Sequence, residues 1–228
     1  SMKDKRNNEV TDHALMELYG VRFFDSECPG HYCASADHSY YFECLIGGQL
    51  VRVERGDCVY FFAPDKKTAH LRRGPCEIES EHCATVVRGF MPPERSCSLE
   101  GLPVLPYVNG CATKQVFAPP RAGDPTLQYL RIPPYSSEQA HHIHSTARVV
   151  FILAGRGVSV VGMDQKTVRF DLEPGRVCIF DPMCPHHFET PYGEPLIAVP
   201  LHVFSSSSSL ETMHPMYSGT HLMNHGSH

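Results

Sequence analysis

The sequence predicts an all-β fold, arranged as a sandwich or barrel of short antiparallel strands. Short apolar runs rich in Val, Ile, Phe and Tyr recur along the 228-residue chain. Gly and Pro, present 17 and 19 times, bound most of these runs and divide the chain into short pieces. Helical periodicity is hard to find after the first segment. Because 42% of the residues are hydrophobic, the strands can bury a sizeable core.

The first element is a short helix predicted over residues 12–19, which Thr11 or Asp12 would cap. Residues 91–126 then hold many Pro and Gly with little pattern, and residues 205–209 are a run of serines. The predicted strands are residues 21–24, 40–46, 50–54, 58–62, 85–90, 127–132, 148–153, 158–161, 167–172, 177–180 and 196–204.

The charge balance argues against a nucleic-acid partner. Twenty Lys and Arg face 25 Asp and Glu, giving a net charge of -5 and a pI of about 6.3, whereas nucleic-acid binders carry a basic face. No apolar run reaches the ~20 residues of a membrane span. The basic residues 3–6 lead into polar residues rather than into the apolar part of a signal peptide. We therefore expect a cytoplasmic protein without a membrane partner, whose 10 Cys are mostly buried or inert thiols.

The most informative motif is the run Ala140-His141-His142-Ile143-His144. Side chains alternate along a strand, so His142 and His144 would share one face and His141 would point the other way. Two imidazoles on one face can bind the same metal ion. Further along, Gly175 precedes an apolar run, which leads to a second histidine pair at residues 186–187.

On these residues, the segment 127–204 resembles the cupin superfamily. Cupins carry a first motif of the pattern Gly…His-x-His…Glu…Gly and a second of the pattern Gly…Pro-x-Gly…His…Asn. Here His142 and His144 fill the His-x-His, and Gly155 stands where the first motif ends. Gly175 opens the second motif, and His186 stands at its histidine. The resemblance implies a double-stranded β-helix barrel.

The chain departs from the cupin motifs at several positions. Ser136 replaces the leading Gly of the first motif, and Arg148 occupies the place of its Glu ligand. Asp181, Met183 and Thr190 replace the Pro, Gly and Asn of the second motif. Without the Glu, the resemblance leaves a three-histidine site. Such a site is similar to those of the Glu-less cupins, which include gentisate-type ring-cleaving dioxygenases and thiol dioxygenases.

The resemblance thus implies one divalent transition metal bound by His142, His144 and His186. Three neutral imidazoles suit Fe, Ni, Cu or Zn and leave coordination positions open, and we expect Fe(II). The implied function is a non-haem Fe(II) dioxygenase that acts on a small organic acid or a hydroxylated aromatic. Two alternatives stay open: a metal-assisted lyase or isomerase, and a non-catalytic small-molecule-binding or sensor cupin.

Two arginines are candidates to bind a substrate carboxylate. Arg148 shares the strand parity of His142 and His144, so it can face the metal and hold a carboxylate through two hydrogen bonds. The alternative is a bulge that turns Arg148 outward. Arg131 is the second candidate for this role.

The resemblance also suggests how the chain is divided. Residues 127–204 would form the metal-binding cupin domain, and residues 20–90 a degenerate cupin-like half, which would make the chain a bicupin. Residues 1–19 would be an N-terminal arm with the short helix, residues 91–126 a linker or wrapping segment, and residues 205–228 a flexible tail. The expected partner is a small-molecule substrate, and because cupins commonly dimerise, we expect a homodimer.

Overall fold

A computed structural model describes residues 12–25, 30–33, 42–101, 105–106, 112–120, 123–136 and 141–203. The helix α1 spans residues 12–19, where the sequence predicts a helix, and no helix in the described ranges is long and apolar enough to cross a membrane. The first nine strands are β1 (Val21–Phe24), β2 (Gly30–Cys33), β3 (Phe42–Ile46), β4 (Gln49–Val53), β5 (Cys58–Phe62), β6 (Thr68–Arg73), β7 (Cys76–Ser80), β8 (Cys83–Val87) and β9 (Arg95–Ser98). The others are β10 (Leu105–Pro106), β11 (Ala112–Phe117), β12 (Thr126–Ile132), β13 (Ala147–Gly155), β14 (Gly157–Met163), β15 (Lys166–Leu172), β16 (Val177–Phe180), β17 (His186–Glu189) and β18 (Leu196–Val203).

The strands form two halves, each built from a larger and a smaller antiparallel sheet. In the first half, a six-stranded sheet of order β2-β3-β8-β5-β6-β9 accompanies the two-stranded sheet β4-β7. In the second half, a seven-stranded sheet of order β1-β16-β13-β18-β12-β11-β10 accompanies the three-stranded sheet β15-β14-β17. The predicted fold class, an all-β double-stranded β-helix with two cupin-like halves, is confirmed.

The two halves repeat one strand order. The run β3-β8-β5-β6 of the first half corresponds to β12-β18-β13-β16 of the second. β4 pairs with β7 in the first half, and in the second half His142 forms an isolated antiparallel bridge with His186 at the start of β17. The described strands of the first half include no counterpart of the β14–β15 hairpin. There β5 is followed by β6, whereas in the second half β14 and β15 lie between β13 and β16.

Three apolar clusters lie between the sheets. The largest packs the six-stranded sheet against the seven-stranded one, where the rings of Phe62 and Phe151 are 4.5 Å apart. A second cluster, which includes Ile152 and Phe188, lies within the barrel of the second half, and a third lies within the first half. Both faces of the seven-stranded sheet are therefore buried, which is why β13 reads as a continuous apolar run rather than an alternating one.

Two glycines of the cupin-like motifs adopt backbone conformations that favour glycine. Gly155 has a φ of 80° and Gly175 a φ of 91°, a region that other L-residues rarely adopt. A Cβ at residue 155 would in addition overlap the carbonyl oxygen of Pro195. Gly155 closes β13 and leads directly into β14, so the Gly155-Arg156-Gly157 run is a strand-to-strand turn rather than a dinucleotide-binding loop.

The chain crosses between the halves more than once. β1 lies within the segment predicted to form the first half, yet it pairs with β16 of the second half. The stacked rings of Phe23 and Phe170, 4.0 Å apart, give β1 an aromatic contact there. Within residues 91–126, β9 extends the six-stranded sheet, whereas β10 and β11 extend the seven-stranded one. The predicted segment boundaries stay predictions, and residues 1–11 and 204–228, which include most of the arm and the tail, lie outside the described residues.

Candidate metal centre

Backbone hydrogen bonds hold two segments side by side to form the centre. His142 and His144 lie between β12 and β13, and His186 begins β17. The amide of His142 donates to the carbonyl of His186 (3.1 Å), and the amide of His186 donates back to the carbonyl of His142 (3.0 Å). The amide of Met183 donates to the carbonyl of His144 (2.6 Å). These bonds fix the His-x-His segment against β17.

The three imidazoles converge on one point. Their candidate ligand nitrogens all lie within 4.8 Å of one another, and the Nε2 atoms of His142 and His144 are 2.8 Å apart. The ring of His142 lies 4.4 Å from that of His144 and 4.7 Å from that of His186. An ion about 2.1 Å from each nitrogen needs ligand nitrogens roughly 3 Å apart. The cluster therefore has the geometry and the donor chemistry of a transition-metal site.

The neighbours of His186 fix which nitrogen it presents. Its Nδ1 donates to the carbonyl oxygen of Cys184 (2.8 Å), which leaves the Nε2 lone pair available to a metal. Its ring stacks on Phe180 at 4.3 Å with an interplanar angle of 17°. Only 5% of the His186 surface is exposed. The ring is thus oriented before any ion binds.

Burial keeps His144 and His186 neutral. Burial, followed by the nearby charge of Arg148, lowers the pKa of His144 to about 2. Burial likewise lowers the pKa of His186 to about 3, against the opposing effect of its hydrogen bond to Cys184. Because both pKa values lie far below 7, both rings are unprotonated at neutral pH and need not lose a proton to bind a metal.

The three histidines line a cavity of about 320 Å³ inside the barrel of the second half. Among the described residues, no carboxylate lines it, so its wall is neutral apart from one guanidinium. The lining residues are Thr113, Gln128, Leu130, His142, His144, Arg148, Val150, His186, Phe188, Pro200 and His202.

Arg148 lies in this cavity with the three histidines. It lies two residues before Val150 on β13, so both side chains are on the face of the strand that lines the cavity. Its Nη1 donates to the Nε2 of His202 at 3.1 Å. The register shift of β13 lies between Ile152 and Ala154, beyond Arg148, so it does not turn the arginine outward. The structure therefore places Arg148 where the strand parity predicts it.

Arg131 does not lie in the cavity. On β12, Gln128 and Leu130 face the cavity, and Arg131 has the opposite parity. Tyr129, which shares the parity of Arg131, packs against the cluster between the two large sheets. Arg131 thus lies on the face of β12 opposite the cavity, and its role as a substrate anchor stays a prediction.

His202, Gln128 and Thr113 line the cavity but carry no signal in the sequence. They lie on β18, β12 and β11, which belong to the seven-stranded sheet. Because that sheet is covered on both sides, its strands show no polar alternation that would identify the cavity face. Only the strand register brings His202 opposite Arg148.

The other histidines near the centre point away from it. His141 and His187 contact each other through their Nδ1 atoms at 2.7 Å, and His187 also pairs with Glu189 at 3.0 Å. His70 contacts the hydroxyl of Ser96 at 2.7 Å, in the first half. Within the described ranges, the three-histidine cluster is the one group whose ligand atoms converge. His38 lies outside those ranges.

Cysteine chemistry at the centre is not supported. Burial, followed by the charge of Asp181, raises the pKa of Cys184 to about 12. The thiol is therefore protonated at neutral pH and is a poor nucleophile. The described cysteines whose side chains are placed, which are Cys44, Cys58, Cys76, Cys83, Cys97, Cys178 and Cys184, are all free thiols.

Comparison with known proteins identifies a domain in the second half. Residues 128–204 match the family profile described as "Cupin domain". A search of curated proteins found no match. Among solved structures, oxalate decarboxylase from Bacillus subtilis, which has Mn(II) centres, is similar with 9% identity and a TM-score of 0.48 over 79% of this chain and 76% of its own.

Two further solved structures are similar over less of the chain. A cupin 2 conserved barrel domain protein from Rhodopseudomonas palustris is 20% identical, with a TM-score of 0.40 over 46% of this chain and 73% of its own. Hydroxypropylphosphonic acid epoxidase from S. wedmorenis is 14% identical, with a TM-score of 0.40 over 44% of this chain and 54% of its own. The matched region thus spans about half the length of the epoxidase, and at these identities the likeness concerns the fold alone.

Proposed function

Residues 128–204 are a cupin domain, and from that premise we propose that the chain is a metal-dependent enzyme, a non-haem Fe(II) dioxygenase. The observation that carries the proposal is the convergence of three imidazoles in a cavity that also holds Arg148. His142, His144 and His186 would bind the metal. When bound, Fe(II) would supply open coordination positions for O₂ and for a chelating substrate.

The cavity favours a small anionic substrate. Its volume of about 320 Å³ suits a small organic acid or a hydroxylated aromatic ring. Leu130, Val150 and Phe188 give it an apolar wall, against which a ring or short chain can pack. Arg148 adds a fixed positive charge whose planar fork matches a carboxylate. The substrate is the partner that we propose, whereas the homodimer and the cytoplasmic location stay predictions.

The protein residues have separate tasks in this proposal. The three histidines hold the metal, and the buried, stacked ring of His186 keeps the site rigid. Arg148 binds and orients the carboxylate of the substrate next to the metal. The apolar side chains of Leu130, Val150 and Phe188 would exclude water from the part of the cavity that they line.

Oxygen consumption tests the proposed reaction. Protein loaded anaerobically with Fe(II) is offered gentisate, small thiol acids and β-diketones in an oxygen electrode. We expect at least one carboxylate-bearing compound to consume O₂ in a ratio of about one to one, because a dioxygenase inserts both oxygen atoms. Product formed under ¹⁸O₂ should carry two labelled atoms. His144→Ala, treated in the same way, should consume none above background.

The other outcomes separate the alternatives. Conversion of a compound without O₂ uptake would indicate a lyase or isomerase that uses the metal as a Lewis acid. Tight binding of a compound without any conversion would indicate a sensor or binding protein. Either result contradicts the proposed dioxygenase.

A further inference from the structure

A second cavity, here called the junction cavity, lies where the two halves meet. It has a volume of about 500 Å³ and shares no described lining residue with the cavity of the three histidines. One side of it comes from the first half, from β5, the turn before β5 and the chain that follows β8. The other side comes from the chain between β11 and β12, two strands of the seven-stranded sheet.

The junction cavity lies outside the barrel of the first half. Along β5, Val59 and Phe61 belong to the apolar cluster of that half, whereas Tyr60 belongs to the cluster between the two large sheets. Phe90, which also lines the cavity, belongs to the same cluster as Tyr60. The cavity therefore opens at the edge of the core that joins the halves, and it is not the counterpart of the three-histidine site.

The Tyr60 hydroxyl has no hydrogen-bond partner, although only 4% of the residue is exposed. No hydrogen bond among the described residues includes this hydroxyl, and burial raises the pKa of Tyr60, so the phenol keeps its proton. The hydroxyl is not one of the orphaned polar atoms that are sealed inside the protein, so the surface it retains lies in the cavity that Tyr60 lines. A buried tyrosine hydroxyl normally finds a partner. This one is available to a ligand.

The lining favours a ligand without charge. Among its described residues, none is Lys, Arg or His, so an anion would be buried there without a cation. Asp124, the acidic residue of the lining, already has an interaction partner, with which an organic cation would have to compete. Four prolines and the ring of Phe90 offer flat apolar surfaces against which an aromatic ring can pack.

We infer that the junction cavity is a second ligand site, which binds an uncharged aromatic molecule carrying one hydrogen-bonding oxygen. The Tyr60 hydroxyl would bond to that oxygen, and the ring would pack against Phe90 and the prolines. A volume of about 500 Å³ is enough for one or two fused rings. The inference does not depend on the proposed function, because it uses neither the metal centre nor the cavity of the three histidines.

Methyl NMR with 2-naphthol as the probe tests where the ligand binds. The full chain is labelled with ¹³C at its methionine methyl groups and is freed of paramagnetic metal by dialysis against a chelator. Met91 lines the junction cavity and is 41% exposed, so its methyl group reports binding there. Met183, whose amide donates to the carbonyl of His144, reports binding at the metal centre. We expect 2-naphthol to shift the Met91 signal, assigned with Met91→Leu, and to leave that of Met183 in place.

Tyr60→Phe tests the hydrogen bond, because it removes the hydroxyl and keeps the ring. It should weaken the binding of 2-naphthol about fivefold in a titration that follows the Met91 signal. Binding of 2-methylnaphthalene, which has no oxygen, should be unchanged. Tyr192→Phe is the matched control, since it removes a hydroxyl that bonds to Asp171 in the second half, and it should leave the binding of both compounds unchanged. The anion 2-naphthoate should bind the wild type at least about tenfold more weakly than 2-naphthol.

The possible results separate the site from the ligand class. An unshifted Met91 signal at saturating 2-naphthol, with or without a shift of Met183, would overturn the site. Wild-type affinity for 2-naphthol in Tyr60→Phe would overturn the role of the hydroxyl, and equal affinity of the wild type for 2-naphthoate would overturn the uncharged class. Because the hydroxyl has no partner in the fold, Tyr60→Phe should keep the unfolding temperature of the wild type. If the variant nevertheless fails to fold, the comparison of 2-naphthol with 2-naphthoate on the wild type still tests the inference.

Discussion

His144→Ala is expected to reduce the metal content of the protein from about one ion per chain to less than about a tenth of that, because one of three ligands is removed. His144 is a neutral ring whose Nε2 lies 2.8 Å from that of His142. Two imidazoles alone leave the ion with too few protein ligands for tight binding at micromolar metal concentrations. The measurement is elemental analysis after equilibrium dialysis against Fe(II) under anaerobic conditions.

The matched control for this change is His70→Ala. His70 is also a histidine in contact with a neighbouring side chain, but it lies in the first half, with Ser96 as its partner. It should leave the metal content at the wild-type level. The fold of His144→Ala should persist, since His144 lines a cavity and is not a member of any of the three apolar clusters. Wild-type metal content in His144→Ala would show that the site has been placed wrongly.

Phe151→Ala is expected to lower the free energy of unfolding by about 3–5 kcal/mol, the usual loss for a buried phenylalanine truncated in a core. Phe151 is 1% exposed and packs against Phe62 of the first half at a ring distance of 4.5 Å. The ring of His82, also from the first half, lies 5.8 Å away. The change therefore removes an aromatic contact between the two large sheets.

Chemical denaturation measures this loss. Leu50→Ala is the matched control, since Leu50 is a large apolar side chain that is 64% exposed on β4, and it should change stability by less than about 0.5 kcal/mol. A loss below about 1 kcal/mol in Phe151→Ala would mean that the two halves do not share a packed core. A biphasic transition in the wild type would lead to the same conclusion.

The ligand positions could be predicted from the sequence because strand parity is a local property. His142 and His144 share a face by their spacing, and the glycines at 155 and 175 are required by turns in which φ is positive. The same alternation of side chains along a strand predicts that Arg148 faces the cavity. These features depend on neighbours in the chain, and no knowledge of which strands pair is needed to find them.

The rest of the site could not be predicted because it depends on strand register. His202 reaches Arg148 only through the pairing of β13 with β18, two strands that are far apart in the chain. Arg131 has the wrong parity for the cavity, but β12 is covered on both faces, so its composition does not show which face is inward. The pairing of β1 with β16 is equally non-local.

The central claim is that His142, His144 and His186 form a metal-binding site, and the metal content of freshly purified wild-type protein tests it most directly. The protein is purified without added metal and without a metal-affinity column, and is then analysed for all first-row transition metals. Because histidines outside the described residues can also bind metal, the result is read as the difference between wild type and His144→Ala. We expect a difference close to one ion per chain, with iron as the main metal. No difference, both as purified and after anaerobic incubation with Fe(II), would contradict it.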